Sequence, residues 1–378
     1  MSPPDVVELT RALVAIDSVN PSLEQGAAGE SEAAAFVAGW ARDAGLEIEL
    51  VEATPGRPSV VARVRGGGGG STLLLCGHLD TVGPGAMEAP FEPRIEGDRL
   101  HGRGAYDMKA GVAAALVACR DAVALDLAGD VVMAAVADEE HASLGVQEVL
   151  ATVGADAAIV TEPTEMEIAI AHKGFAWLEI EVHGRAAHGS RPQLGVDAIV
   201  KAGPVLTALG ELDQRLGESR HPLLGRGSVH ASLIRGGHDL ATYPASCTIG
   251  IERRTLPGEG AAEVERELAR LLAGCREADP RLETSCQTLL VREPLETSED
   301  EPVVAALREA AAEVLGSRPP LSGASFWADS AFIAGAGIPT ALFGPGGEGA
   351  HAAEEWVSIR DIESCARVLT KTASAFCA

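Results

Sequence analysis

Apolar and polar positions alternate along this chain with two distinct periods, and the period changes twice. In the first 173 residues, amphipathic stretches at about 4–16 and 29–45 carry the spacing of helices. Between and after them come short, nearly continuous apolar runs: SVVARVR, TLLLC, DVVMAAV and AAIV. The alanine- and leucine-rich segment MKAGVAAALVACRDAVAL separates two of these runs and predicts a helix. Apolar strands divided by helices predict a largely parallel sheet covered on both faces. In such sheets ligands sit beyond the carboxyl ends of the strands.

After His172-Lys173-Gly174 the pattern changes to half-exposed alternation. FAWLEIEVHG, VHASLIRGG, CTIGIERR and LETSCQTLLV predict strands. VDAIVKAGPVLTALGELDQRL and AAEVERELARLLAGCREA predict helices. The order β-α-β-β-α-β is that of a small open-faced sandwich of ferredoxin-like type. From EPVVAALREAAAEVLG onward the first pattern returns, with IPTALF as a strand and IRDIESCARVLTKTASAF as a final helix. The simplest organisation is an insertion. One domain is built from 1–173 and 293–378, and a smaller α+β domain spans 174–292. GGGGG at 66–70 has no following Lys-Ser or Lys-Thr, so it predicts a flexible hairpin turn rather than a phosphate cradle.

Composition narrows the classes of function. The 378 residues carry 30 basic and 55 acidic side chains, a net charge of −25, which argues against nucleic acid or an anionic membrane as the main partner. The start MSPPDVVELTRALVAIDS has no basic leader and no signal core, and no apolar run is long enough to span a bilayer. Seven cysteines without metal-type spacing suit a reducing cytoplasm, with Cys76 as core filler although it lies two residues before His78.

Metal-type side chains stand at the ends of the apolar runs or in glycine-rich turns: His78 and Asp80 in LLLCGHLDTV, Asp107 in GRGAYDMKAG, Glu139 and Glu140 in VVMAAVADEE, Glu162 in AAIVTEP, and His351 in FGPGGEGAHAAEEW. Each alone has an ordinary reading as a cap, a solvated loop or a bystander histidine. Together they describe a two-metal hydrolytic site whose nitrogen and oxygen donors suit zinc better than magnesium or calcium. His78 reads as a ligand, with the Asp80 carboxylate accepting its second N–H. Asp107 reads as a bridge between two ions. Adjacent glutamates leaving a strand diverge, so Glu140 reads as a ligand and Glu139 as the free general base. Asp107, Glu140 and Glu162 bring three negative charges that two divalent ions would more than offset.

In series, GHLDTV, GRGAYDMKAG, DEE, TEP and the late GAH resemble the M20 family of metallopeptidases and deacylases, over nearly the whole chain. The resemblance implies a zinc-exopeptidase-like catalytic domain and two zinc ions, with cobalt a possible substitute. His78 and Glu162 would hold one ion, Glu140 and His351 the other, and the Asp107–Met108 peptide would be cis. It implies that the inserted domain is a lid that also forms a homodimer. His188, in VHGRAAHGSRP, would steady the tetrahedral oxyanion, and Arg254, in CTIGIERRTLPGE, would bind a substrate carboxylate, with Arg253 the alternative in register. The activity implied is hydrolysis of an N-acyl amino acid, acetylornithine-deacetylase-like first. A carboxypeptidase or dipeptidase acting on short peptides is the alternative, and a non-catalytic metal-stabilised binding module is the reading of a different class. The sequence departs from many relatives where DLATYPASC carries Ala241 and Thr242 instead of an asparagine, which leaves the acyl group and amino acid open.

Overall fold

The computed structural model describes residues 5–378. The chain divides into two compact units. The first comprises the residues up to Ile170 together with Thr297–Ser322 and Ala328–Ala378. The second comprises Ala171–Glu296 and the short segment Gly323–Trp327.

The first unit is built on a central sheet in the order Glu47–Val51, Ser59–Val64, Val131–Val136, Leu73–His78, Ala157–Val160, Thr340–Leu342, Ile168–His172. Its middle is parallel: Leu73–His78 pairs in parallel with Val131–Val136 and with Ala157–Val160, which pairs in parallel with Thr340–Leu342. These strands are buried along their whole length, which explains their unbroken apolar runs. The flanks are antiparallel, so the expected parallel strands form the middle of a mixed sheet. The first flanking strand, Glu47–Val51, has no buried residue, so its sequence lacked the apolar signal of the centre.

The expected hairpin at GGGGG is absent, because the strands on either side of it do not pair. Val131–Val136 lies between them. The glycine segment crosses over that strand and is tied down, with Gly67 and Gly68 N–H groups donating to the Leu127 and Ala128 carbonyls at 2.7 Å each. A Cβ on Gly66 would overlap the Gly129 carbonyl, so close backbone approach explains that glycine.

The helix Ala110–Ala122 is buried through almost all of its length, and its small side chains let it pack against both sheet and neighbouring helices. A small antiparallel sheet, unforeseen in the sequence, joins Gly347–Glu348, Trp356–Ser358, Arg99–His101 and Arg94–Glu96. Its strands are only two or three residues long, too short for a periodic signal. It matters because it holds the chain around His351 beside the chain leading to Asp107.

The second unit is a four-stranded antiparallel sheet in the order Ser228–Gly236, Ser246–Thr255, Gly174–His183, Glu283–Arg292. The helices Ala198–Leu216 and Ala261–Ala278 cover one face. Ile180, Val182, Ile249, Leu209 and Leu268 are among the residues of the core between sheet and helices. Strand alternation is clearest in Ser246–Thr255, where every second residue is buried. No helix among the described residues is long and apolar enough to cross a membrane. All seven cysteines are free, six of them buried and Cys286 exposed.

Candidate metal centre

Three neighbouring parallel strands aim their carboxyl ends at one point. His78 is the last residue of its strand, in register with Val136, and Cys76 is in register with Val160. The residues that follow Val136 and Val160 therefore emerge beside His78, and they include Glu139, Glu140 and Glu162. Asp107 arrives from a tight helical turn at Ala105–Lys109, in which the Asp107–Met108 peptide is cis. His351 arrives from the glycine-rich segment after Thr340–Leu342 with φ of 62°. A Cβ on Gly344 would overlap the Glu162 carbonyl oxygen, so this segment needs glycine to pass so close.

The donors converge. His78 Nε2 lies 3.2 Å from Asp107 Oδ1, 3.8 Å from Glu162 Oε1 and 4.0 Å from Glu139 Oε2. On the other side, His351 Nε2 lies 3.3 Å from Asp107 Oδ2 and 3.1 Å from Glu140 Oε2. Asp107 thus turns one oxygen to each histidine. Among the described residues, two groups have ligand atoms mutually close enough to hold an ion: His78 with Glu139 and Glu162, and His78 with Asp107 and Glu140. A tetrahedral ion with bonds of about 2.0–2.1 Å spaces its ligand atoms by about 3.3 Å. The Glu140 Oε1 atom is buried without a hydrogen-bond partner, an arrangement that is costly unless something completes it. Donor chemistry, spacing and this orphaned oxygen all fit divalent ions.

Protonation follows the same logic. Burial pushes the Glu139 and Glu162 carboxyls well above the usual range, and the charges of Glu162 on Glu139, of Asp107 on Glu162 and of Glu140 and Asp329 on both add to it. Burial alone would depress the His78 imidazole, but the hydrogen bond to Asp107 and the charges of Glu162, Glu139 and Asp80 hold it well above its ordinary value. Hydrogen bonds to Asp107 and Glu140 raise His351 to about 10. Asp107, buried yet bonded to both histidines, falls below the usual carboxylate range. Each shift traces to negative charge crowded into a buried site, the charge that divalent cations would balance.

Asp80 works differently from its sequence reading. His78 Nδ1 bonds the backbone carbonyl of Asp80 at 2.9 Å, while the Asp80 carboxylate stands 3.7 Å away. That carboxylate instead accepts the N–H groups of Glu139 and Glu140, at 3.1 Å each, and the Asn20 amide at 2.8 Å. An aspartate two residues after a histidine can reach either target, and sequence alone does not distinguish them.

Residues that the motifs did not flag hold the loops. Glu355, buried and paired with Arg103 at 2.6 Å, accepts backbone N–H groups of Gly104, Tyr106 and Asp107 at 2.9–3.0 Å. Arg103 also donates to the Ala352 carbonyl at 2.8 Å, so one ion pair ties the Asp107 turn to the His351 segment. Lys109, fully buried, donates to the Ile16 carbonyl at 2.7 Å, and burial lowers its pKa to about 8. Asp329 is buried as well. Nothing in the sequence separates these charged residues from surface ones except their nearness to the motifs.

His188 and the two arginines belong to the second unit. His188 is exposed, with its Nδ1 2.8 Å from the Ser190 hydroxyl and 3.2 Å from the Ser190 backbone nitrogen. The departing segment lies next to it: Gly189 N–H donates to the Ala241 carbonyl at 2.6 Å, and Tyr243 N–H to Ala187 at 2.8 Å. Arg253 is buried, bonded to Glu267, Glu259 and the Arg254 carbonyl. Arg254 is half-buried, lies over the Phe175 ring at 5.2 Å and meets Glu252 at 2.7 Å. Of the two, only Arg254 has part of its guanidinium uncommitted by this set of bonds.

Comparison with known proteins agrees with this geometry. Residues 74–375 match the model of peptidase family M20/M25/M40. An acetylornithine deacetylase of Myxococcus xanthus is 31% identical, with 97% of this chain and 96% of the relative covered. Among solved structures, aminopeptidase PepT of Bacillus cereus superposes with a TM-score of 0.80 at 20% identity over 98% of each chain. A dinuclear metal binding peptidase of the M20 family from Bacillus subtilis superposes with 0.77 at 16% identity, over 98% of this chain and 96% of that one. The convergent carboxylates and imidazoles, their order along the chain and these likenesses lead to one conclusion: the chain belongs to peptidase family M20/M25/M40 and is a metallo-hydrolase.

Proposed function

We propose that this hydrolase uses two zinc ions, with cobalt a working substitute, to cleave the amide of an N-acyl amino acid, acetylornithine in the first instance. The observation that carries the dinuclear reading is the Asp107 carboxylate, with one oxygen 3.2 Å from His78 and the other 3.3 Å from His351. His78 and Glu162 would hold one ion, Glu140 and His351 the other, and Asp107 both. Bound there, the ions would polarise the amide carbonyl and make water easier to deprotonate at neutral pH. Glu139 stands at the edge of the set, 4.0 Å from His78 Nε2, and its raised pKa suits a group that takes a proton from water and gives it to the leaving amine. Geometry alone also offers Glu139 as a donor to an ion, and the substitution described in the Discussion separates the two roles.

In the second unit, the exposed imidazole of His188 suits donation to a developing oxyanion. Arg254 suits a substrate carboxylate through its planar fork, whereas the committed Arg253 does not. The choice of acetylornithine rests on relatives carrying that name at 27–31% identity. Peptide cleavage is the second reading, favoured by the peptidase names of the structural neighbours. A homodimer through the second unit is supported by exposed Ile199, Val200, Leu233, Ile234 and Leu240 on the edge strand Ser228–Gly236 and nearby. Seven unpaired cysteines suit a reducing, cytoplasmic setting. The test is a panel of N-acetyl, N-succinyl and N-formyl amino acids against dipeptides, with zinc or cobalt supplied. Turnover of acetylornithine above all others supports the reading; turnover of dipeptides alone replaces it with the second.

A further inference from the structure

We infer that Arg57 is a positioning residue for the Glu139–Glu140 pair, acting through buried carboxylates rather than through any contact with substrate. The inference rests on the metal-site reading above, and its test separates the two.

Arg57 lies in the turn before Ser59–Val64 and is 7% exposed. Its guanidinium grips Glu30 with two parallel bonds, Nε to Oε2 at 2.9 Å and NH2 to Oε1 at 2.6 Å. The same NH2 group reaches Asp138 Oδ1 at 2.7 Å, and NH1 reaches Ser22 Oγ at 3.2 Å. Glu30 and Asp138 are fully buried. The network continues through Asn20, whose side-chain amide donates to Asp138 Oδ1 at 3.0 Å and to Asp80 Oδ2 at 2.8 Å.

What this network grips is backbone. The N–H of Asp138 ends on Glu30 Oε1 at 3.2 Å, that of Glu139 on Asp80 Oδ1 and that of Glu140 on Asp80 Oδ2, at 3.1 Å each. Three successive amides are thus fixed by two carboxylates, and the third carboxylate, Asp138, sits at a left-handed φ of 69° at the head of the turn. That conformation is uncommon for a residue other than glycine and persists only where its surroundings hold it. The directions in which Glu139 and Glu140 leave the turn follow from these constraints.

Crowded together and out of water, the three buried carboxylates repel one another. Arg57 is the cation that bonds two of them directly. Its fork also fixes their orientation, which the single ammonium of a lysine cannot do. Removing it leaves the Glu139–Glu140 turn free to relax, although no atom of Arg57 touches either glutamate in these bonds.

The experiment uses Arg57→Met, Arg57→Lys and Asn20→Ala in the full-length protein. Each is stripped of metal and titrated with Co2+, followed by visible absorption and calorimetry, and kcat and KM are measured on the best substrate of the wild type. Expected for Arg57→Met is a Co2+ affinity at the weaker step reduced by about 10–100-fold, an altered cobalt spectrum, and a kcat reduced by a similar factor with KM nearly unchanged. Arg57→Lys keeps the charge without the fork and falls between. A variant with a lower Tm but wild-type cobalt affinity, spectrum and kcat overturns the inference, because a merely structural residue would behave that way. If Arg57→Met does not fold, Asn20→Ala, which removes no charge, decides by the same readings: a changed spectrum and lowered kcat support the network, unchanged values refute it. Failure of the wild type itself to bind Co2+ refutes the metal-site reading instead.

Discussion

The two units treat their polar residues in opposite ways. In the first, the metal-type side chains other than the exposed His351 sit among buried charges, and the loops that carry Glu139, Glu140 and Asp107 are held by carboxylates collecting backbone N–H groups: Asp80 for Glu139 and Glu140, Glu355 for the Asp107 turn. In the second, His188 is exposed with a local partner in Ser190, and Arg254 is half-buried against Phe175 and Glu252. The difference teaches what each job demands. Concentrating negative charge to capture cations needs a rigid, desolvated frame, because unpaired buried charge is costly. Meeting a substrate that comes and goes needs access, and access leaves little to fix a side chain.

The sharpest way to break this contrast is to remove what the buried frame is built for. Chelation is expected to abolish activity entirely, and zinc or cobalt to restore it, with no comparable dependence on ions for the folding of the second unit's four-stranded sheet. Turnover by fully metal-stripped protein would sink the dinuclear reading. Next in size is Glu139→Ala. Loss of a general base costs about 10²–10⁴-fold in kcat. Metal content measured on the same sample should stay at the wild-type level. A variant that loses an ion together with activity would make Glu139 a ligand and Glu140 the candidate base.

How much of this was readable from the sequence follows the same division. The central strands announced themselves because burial on both faces demands unbroken apolar runs, and His78, Glu139, Glu140 and Glu162 stood where those runs stop. The antiparallel flank was harder, since Glu47–Val51 is solvent-facing and carries no apolar run. The short strands beside Asp107 and His351 were unreadable because two or three residues have no period. The supporting charges were hidden for another reason. Arg57, Glu30, Arg103 and Glu355 are residue types normally found at the surface, and only the fold buries them. GGGGG misled because a run of glycines reads as freedom, whereas Gly66 is there for close contact with the backbone of the 127–129 segment.

Glu355 offers a test of intermediate size that sharpens the comparison. Its carboxylate accepts three N–H groups of the turn bearing Asp107, so Glu355→Gln keeps the shape, removes the charge and turns one acceptor into a donor. Metal affinity and kcat are expected to fall by about 10–100-fold, as for other groups that orient metal ligands. An exposed polar residue of the second unit, such as Gln287, changed to alanine should leave both unaltered. Equal effects at the two positions would show that burial has nothing to do with the sensitivity of the site.

The smallest effect is expected in the second unit, and it separates two adjacent arginines. Arg254→Lys keeps the charge and loses the fork, so it should raise KM for substrates with a free carboxylate by roughly tenfold, equivalent to about 1.4 kcal/mol, with kcat little changed. Amidated analogues of the same substrates should show no such penalty. Arg253→Lys breaks the bonds to Glu259 and Glu267 instead, beneath the sheet and away from solvent. It should lower Tm while leaving KM where it was. The pair is informative because the residues are neighbours on one strand with opposite faces, so any general disturbance of Ser246–Thr255 would appear in both. A KM effect at Arg253 and none at Arg254 would reverse the register, and would mean that the buried arginine reaches substrate only after its own ion pairs open.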